Sequence, residues 1–98
     1  MKLAMSHRTY SRAKPLAWRN VGGRVVIIHG GRGEVSELNE TASEIWRQMD
    51  APAPIELMAS WLVNQFDVDA ASAQADASTL IKDLENLGLV HGSEPTSP

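Results

Sequence analysis

The spacing of apolar residues changes near residue 39, and this change constrains the fold more than any other feature of the chain. Upstream, apolar residues occur in short runs that glycines interrupt, as in strands joined by tight turns. Downstream, they recur at positions i, i+3, i+4 and i+7, namely Ala42, Ile45, Trp46 and Met49. This spacing places them on one face of an α-helix, which Asn39 or the competing Thr41 can cap. The sequence therefore predicts strands followed by helices, with Trp46 as the main apolar anchor of the first helix.

Three strands are predicted before this helix, over residues 16–21, 25–28 and 34–38. The pair Gly22-Gly23 indicates a hairpin between the first two strands, because both positions tolerate a positive φ. The second strand is apolar on both faces, as in a buried central strand, whereas the third alternates in polarity, as in an edge strand. We therefore expect a three-stranded antiparallel meander whose third strand leaves one row of backbone groups unpaired.

Two more helices are predicted after the first. The second follows Pro54, which suits the first position of a helix. The third follows Asp67 or Asp69 as its cap and ends near Gly88. The predicted fold class is α+β and winged-helix-like, a three-stranded antiparallel meander followed by three α-helices. Residues 15–90 form the domain, residues 1–14 a flexible N-terminal arm, and residues 91–98 a disordered C-terminal tail.

Composition excludes several classes of protein. The 98 residues suffice for one small domain, and without cysteine neither a disulfide nor a thiolate zinc site can form. The net charge of −3 argues against a general nucleic-acid binder. Neither an apolar run of about 20 residues nor a signal-peptide core is present, so we expect a cytoplasmic protein without a membrane span.

The motifs that carry chemistry are missing from the sequence. The run of residues 30–33 lacks the Gly-Lys-Ser/Thr ending of a phosphate loop and is better explained as a turn. His7, His29 and His91 have no metal-ligand spacing, and nothing in the sequence places serine, histidine and aspartate together. We therefore expect a protein that is not an enzyme and that binds no metal or cofactor.

The segment L-N-E-T-A at residues 38–42, followed by Ile45-Trp46 and Asp50, resembles the L-N-x-x-A-x-x-I-W pattern of PqqD-like proteins. The F-D-V-D segment at residues 66–69 and the G-L-V segment at residues 88–90 are similar to later motifs of that family. The resemblance covers about residues 16–90. Alanines depart from the family pattern at four positions, which are 51, 53, 73 and 77, and this leaves the subfamily and its ligand open.

This resemblance implies a RiPP recognition element, a domain that binds the leader segment of a ribosomally made precursor peptide. Such a domain presents the leader to a modifying enzyme, which is a radical SAM protein in pyrroloquinoline quinone-type biosynthesis or a leader peptidase in lasso-peptide pathways. We expect a monomer or weak dimer. The leader would add as a strand to the third β-strand and pack against the third helix. The predicted peptide-binding residues are Val35, Ser36, Glu37 and Leu38 on the strand, and Ala73, Asp76, Ala77, Leu80, Ile81 and Leu84 on the helix.

A winged-helix DNA-binding or regulator domain is the alternative, because it shares the predicted fold type. Its third helix would carry several exposed arginines or lysines for the phosphate backbone. Here the third helix has only Lys82, against Asp76, Asp83 and Glu85. The charge pattern therefore favours a peptide partner, with Asp76 and Lys82 as candidate polar contacts at the rim of the site.

Overall fold

The computed structural model describes residues 8–13, 16–29 and 33–93, which form six strands and three helices. In chain order the elements are β1 (Thr9–Arg12), β2 (Ala17–Val21), β3 (Arg24–His29), β4 (Glu34–Glu37), α1 (Glu40–Gln48), β5 (Ala53–Pro54), α2 (Ile55–Gln65), α3 (Ala70–Asn86) and β6 (Val90–Ser93).

The strands form two antiparallel sheets. In the larger sheet β3 lies between β2 and β4, so that Ile27 is level with Trp18 on one side and with Ser36 on the other. The hairpin between β2 and β3 turns at Gly22 and Gly23, whose φ angles are 61° and 83°. The predicted meander followed by three helices is therefore confirmed. The smaller sheet, in the order β5, β1, β6, is absent from the prediction.

The smaller sheet corrects the predicted chain ends. Residues 9–12 belong to the predicted flexible arm and residues 91–93 to the predicted disordered tail, yet they form β1 and part of β6. These two strands pair antiparallel from Thr9 opposite Ser93 to Arg12 opposite Val90. Neither strand has a periodic apolar face, so only their mutual pairing identifies them. Residues 1–7, 14 and 94–98 of the predicted arm and tail lie outside the described residues.

Arg12 attaches β1 to the first helix. Its guanidinium carbon lies 4.9 Å from the ring centre of Trp18 and 5.5 Å from that of Trp46. Its Nε donates to the carbonyl of Trp46 at 3.0 Å, and Nη2 donates to that of Arg47 at 3.2 Å. These carbonyls are at the C-terminal end of α1, where a helix lacks its own donors and favours a cation. Burial lowers the pKa of Arg12, and nearby Asp50 opposes this effect.

The first helix, α1, packs on the inner face of the larger sheet, and α2 and α3 pack on each other and against α1. Trp46 is fully buried, as predicted, and its ring meets that of Trp18 edge-on with centres 6.3 Å apart. Asn39 caps α1 by accepting the backbone N–H of Ala42 at 2.8 Å, and Asp69 rather than Asp67 caps α3. Pro54 is the residue before α2 and not its first helical residue. The core therefore joins β3, α1, α2 and α3, and it leaves β4 at an edge.

Candidate functional site

β4 is an edge strand, as predicted. Within the described part of the chain it pairs only with β3. The N–H of Leu38 donates to the carbonyl of Val25 at 2.9 Å. This bond shows which residues along β4 form hydrogen bonds with β3. Because bonded positions alternate along an antiparallel strand, the backbone groups of Ser36 point towards β3. Those of Val35 and Glu37 therefore point away from the sheet and are available to another strand.

A buried hydroxyl holds the end of this edge strand in position. The N–H of Val25 donates to Oγ of Ser43 at 2.8 Å, and that hydroxyl donates to the carbonyl of Leu38 at 3.2 Å. Ser43 is fully buried and lies on α1. The Ser43 hydroxyl thus takes the place of a direct hydrogen bond between the Val25 N–H and the Leu38 carbonyl. It also links the end of the edge strand to α1.

We expect Ser43→Ala to lower the free energy of unfolding by about 1–3 kcal/mol, because a buried N–H and a buried carbonyl both lose their partner. Urea titration followed by tryptophan fluorescence measures this change. Ser60→Ala is the matched control, since the Ser60 hydroxyl donates to the Leu57 carbonyl on the exposed side of α2. Equal unfolding free energies for the two variants would contradict this role of Ser43.

A groove of about 380 Å³ lies between the start of α1 and α3. Its lining consists of Asn39, Thr41, Asp76, Thr79, Leu80 and Asp83. Asn39 follows β4 by two residues, so the groove begins where the free edge ends. On α3 the lining residues are spaced i, i+3, i+4 and i+7, which is one face of a helix. The site thus combines unpaired backbone, an apolar side chain and two carboxylates.

The structure divides the predicted contact residues into surface and core. Val35 is 62% exposed, Glu37 and Asp76 are exposed, and Ser36 and Leu80 are half-buried. The other predicted residues are 0–6% exposed and belong to the core, namely Leu38, Ala73, Ala77, Ile81 and Leu84. Their side chains pack in the core of the domain, so their part in peptide binding stays a prediction.

The helical phase of α3 explains this division into surface and core. The buried residues and the groove residues form two stripes about 100° apart around the helix axis, and each stripe repeats at helical spacing. The predicted set combined the two stripes because Leu80 is as apolar as the core residues. The prediction missed Thr79 and Asp83 as lining residues, although their spacing from Asp76 was a usable signal. It treated Asn39 and Thr41 only as helix caps.

Ser36, His29 and Glu34 come together at the β3–β4 hairpin. Nε2 of His29 lies 2.8 Å from Oγ of Ser36, and its Nδ1 lies 4.0 Å from Oε1 of Glu34. A nucleophilic triad needs a hydrogen bond from the acid to the histidine, and 4.0 Å is too long for one. We therefore interpret these contacts as structural, since they join β3 to the edge strand β4. In residues 8–13, 16–29 and 33–93, no three His, Asp or Glu side chains are grouped so as to hold a metal.

A family model described as Coenzyme PQQ synthesis protein D (PqqD) matches residues 24–90. The chain belongs to the PqqD family. The resemblance seen in the sequence is thus confirmed, and so is the expectation of a peptide-binding domain rather than an enzyme, since the family is non-catalytic. None of the helices described for this PqqD-family chain is long and apolar enough to cross a membrane.

Two solved structures share this PqqD-family fold. One is TbiB1 in complex with the TbiA(beta) leader peptide, at a TM-score of 0.74 and 19% identity, covering 85% of this chain and 96% of that one. The other is lasso peptide synthetase B1 complexed with the leader peptide, at a TM-score of 0.72 and 21% identity, covering 84% and 96%. No curated protein matches the chain.

Proposed function

We propose that this domain binds the leader segment of a ribosomally synthesised precursor peptide by β-strand addition at β4 and presents it to a modifying enzyme. The free edge of β4, ending beside the groove on α3, is the observation that carries the proposal. Membership of the PqqD family supports it, as does the fold shared with two proteins whose structures contain leader peptides.

In this mode of binding, the backbone and the side chains of the domain would make different contributions. Outward-pointing N–H and C=O groups of Val35 and Glu37 would pair with the leader and give sequence-independent affinity. Alternate side chains of an added strand point to opposite faces, so every second one would turn towards α3 and its groove. There Leu80 offers an apolar contact and Asp76 offers a polar one. No bond is made or broken in this process.

The partner enzyme follows from the role of the leader. A domain that only binds needs a second protein to do the chemistry, and a radical SAM enzyme or a leader peptidase fits the two pathway types. Precursors of this kind are made on ribosomes, which places the encounter in the cytoplasm. We further propose that the domain acts as a monomer or weak dimer, because peptide addition at β4 requires that edge to be free.

Peptide binding can be tested directly. A fluorescein-labelled leader, taken from the precursor gene adjacent to the gene for this chain, should bind with a dissociation constant of about 1 μM or tighter, about −8 kcal/mol. Fluorescence polarisation measures this affinity, and a scrambled leader of the same composition is the control. Equal binding of the leader and the scrambled peptide would refute the proposal.

A DNA-binding function is the alternative, because we infer a winged-helix arrangement of the meander and helices. The charge of α3 disfavours it. Lys82 is the helix's only cation, whereas Asp76 and Asp83 line the groove. A phosphate backbone would meet like charge on this surface, so an anionic polymer is a poor ligand for it. A salt-dependent shift with duplex DNA in a gel assay would favour the alternative instead.

A further inference from the structure

The groove beside β4 is negatively charged. Asp76 and Asp83 lie on its α3 wall, with Leu80 between them along the helix. Within the described residues neither carboxylate forms an ion pair, whereas Glu85 on the same helix pairs with Arg8 and Glu37 on β4 pairs with Arg24. The groove therefore presents two carboxylates that no cation of the described residues neutralises through an ion pair.

Lys82, the one cation of α3, does not cancel this charge. Lys82 is adjacent to Asp83 in sequence, but successive helical residues are about 100° apart around the axis. It accordingly does not belong to the groove lining, whose remaining members are the neutral Asn39, Thr41 and Thr79. A ligand that enters this groove meets negative charge on the α3 side and neutral polar groups opposite.

The spacing of the α3 groove residues is close to, and slightly shorter than, the repeat of an extended strand. Leu80 is four residues after Asp76 and three before Asp83, which corresponds to axial distances of about 6.0 and 4.5 Å. In an extended peptide, side chains on one face recur about every 6.6 Å. A strand that runs along α3 would bring consecutive same-face side chains to the three α3 residues in turn, and the flexible stems of lysine or arginine would absorb the difference.

We propose that this domain selects leader segments with the pattern basic-x-apolar-x-basic. The two basic side chains would face Asp76 and Asp83, and the apolar one would face Leu80. This inference rests on the proposed strand addition and specifies its substrate class. The pattern reads the same in both directions, so it holds for parallel and for antiparallel addition to β4. A positively charged leader is the occupant that the groove's unpaired carboxylates favour.

Selection from a display library of random 12-residue peptides tests this substrate class. The native domain should enrich peptides with lysine or arginine at positions i and i+4 around an apolar residue. The double variant Asp76→Lys/Asp83→Lys should enrich aspartate or glutamate at those positions instead. Asp67→Lys/Glu56→Lys has the same net charge and alters exposed residues outside the groove lining, so it should enrich the same peptides as native protein.

Affinity measurements then give the size of the effect. In one enriched peptide, replacing both basic residues by glutamine should weaken binding to native protein about tenfold, as expected for two ion pairs at a partly open surface. The same replacement should not weaken binding to Asp76→Asn/Asp83→Asn, which keeps the shape of the groove and removes its charge. Raising the salt to 1 M should reduce the native preference, because salt screens such pairs.

The outcomes separate this inference from the proposed function. If native protein enriches peptides of neutral pattern, the charge preference is wrong and peptide binding stands. If Asp76→Lys/Asp83→Lys selects the same basic peptides as native protein, the groove does not select peptides by their charge. If no peptide is enriched and the cognate leader also fails to bind, the proposed function falls together with the inference.

Discussion

Glu37→Pro should weaken binding of the leader at least tenfold while the domain stays folded. The N–H of Glu37 points away from β3, so proline there removes a donor that the sheet itself does not use. The added strand would lose one backbone hydrogen bond, worth about 0.5–1.5 kcal/mol, and would meet the proline ring at its edge. Fluorescence polarisation with the labelled leader measures the loss, and circular dichroism confirms the fold.

Two further variants make this prediction specific. Glu37→Ala removes the carboxylate and its 3.7 Å ion pair with Arg24, yet it keeps the N–H, so leader binding should change little. Ser36→Pro removes an N–H that points to Ile27 of β3, so it should destabilise the sheet itself. If Glu37→Pro is folded and binds the leader as tightly as Glu37→Ala does, strand addition at this edge is wrong.

Trp46→Ala should lower the free energy of unfolding by about 3–5 kcal/mol, the usual cost of removing a large buried aromatic ring. The ring is fully buried, packs edge-on against Trp18 and lies beside the guanidinium of Arg12. Its removal would leave a cavity at the point where the larger sheet, α1 and β1 meet. A small domain has few kilocalories to spare, so we expect an unfolded or molten state at 37 °C.

Thermal and urea unfolding measure this effect, and Trp46→Phe is the informative control. Phenylalanine keeps an aromatic ring and removes the indole Nε1–H, which is buried and has no hydrogen-bond partner in the described structure. We therefore expect Trp46→Phe to cost clearly less than Trp46→Ala. A cooperative melt of Trp46→Ala at the native midpoint would show that this ring does not support the core.

Elements with local causes were predictable from the sequence. The spacing of Ile45, Trp46 and Met49, together with an asparagine cap, specifies α1, since helical hydrogen bonds join residues four apart. Gly22 and Gly23 specify the hairpin of β2 and β3 because a tight turn there requires positive φ. The polarity of the third strand similarly identified an edge, and the family motif identified the peptide-binding class.

Elements with nonlocal causes were not predictable. β1 and β6 are short and polar, and each is a strand only because the other lies beside it. Their residues are about eighty positions apart, so no window of sequence contains the pairing. The stacking of Arg12 on Trp18 and Trp46 depends in the same way on three separate elements. A polar terminal segment therefore looks like a flexible arm until its partners are known.

The sequence by itself determined the three-stranded meander, the three helices, the edge position of β4 and the family. Only the tertiary structure decided which face of α3 is available to a ligand. Alanine and leucine are compatible with both a core and a groove. Whether such a residue of α3 is buried depends on where α2 packs. Here Ala73 and Ala77 are buried with α2 residues, so the stripe of Asp76, Leu80 and Asp83 faces the groove. Helical periodicity defines such stripes, but packing against a neighbouring element selects the one that is buried.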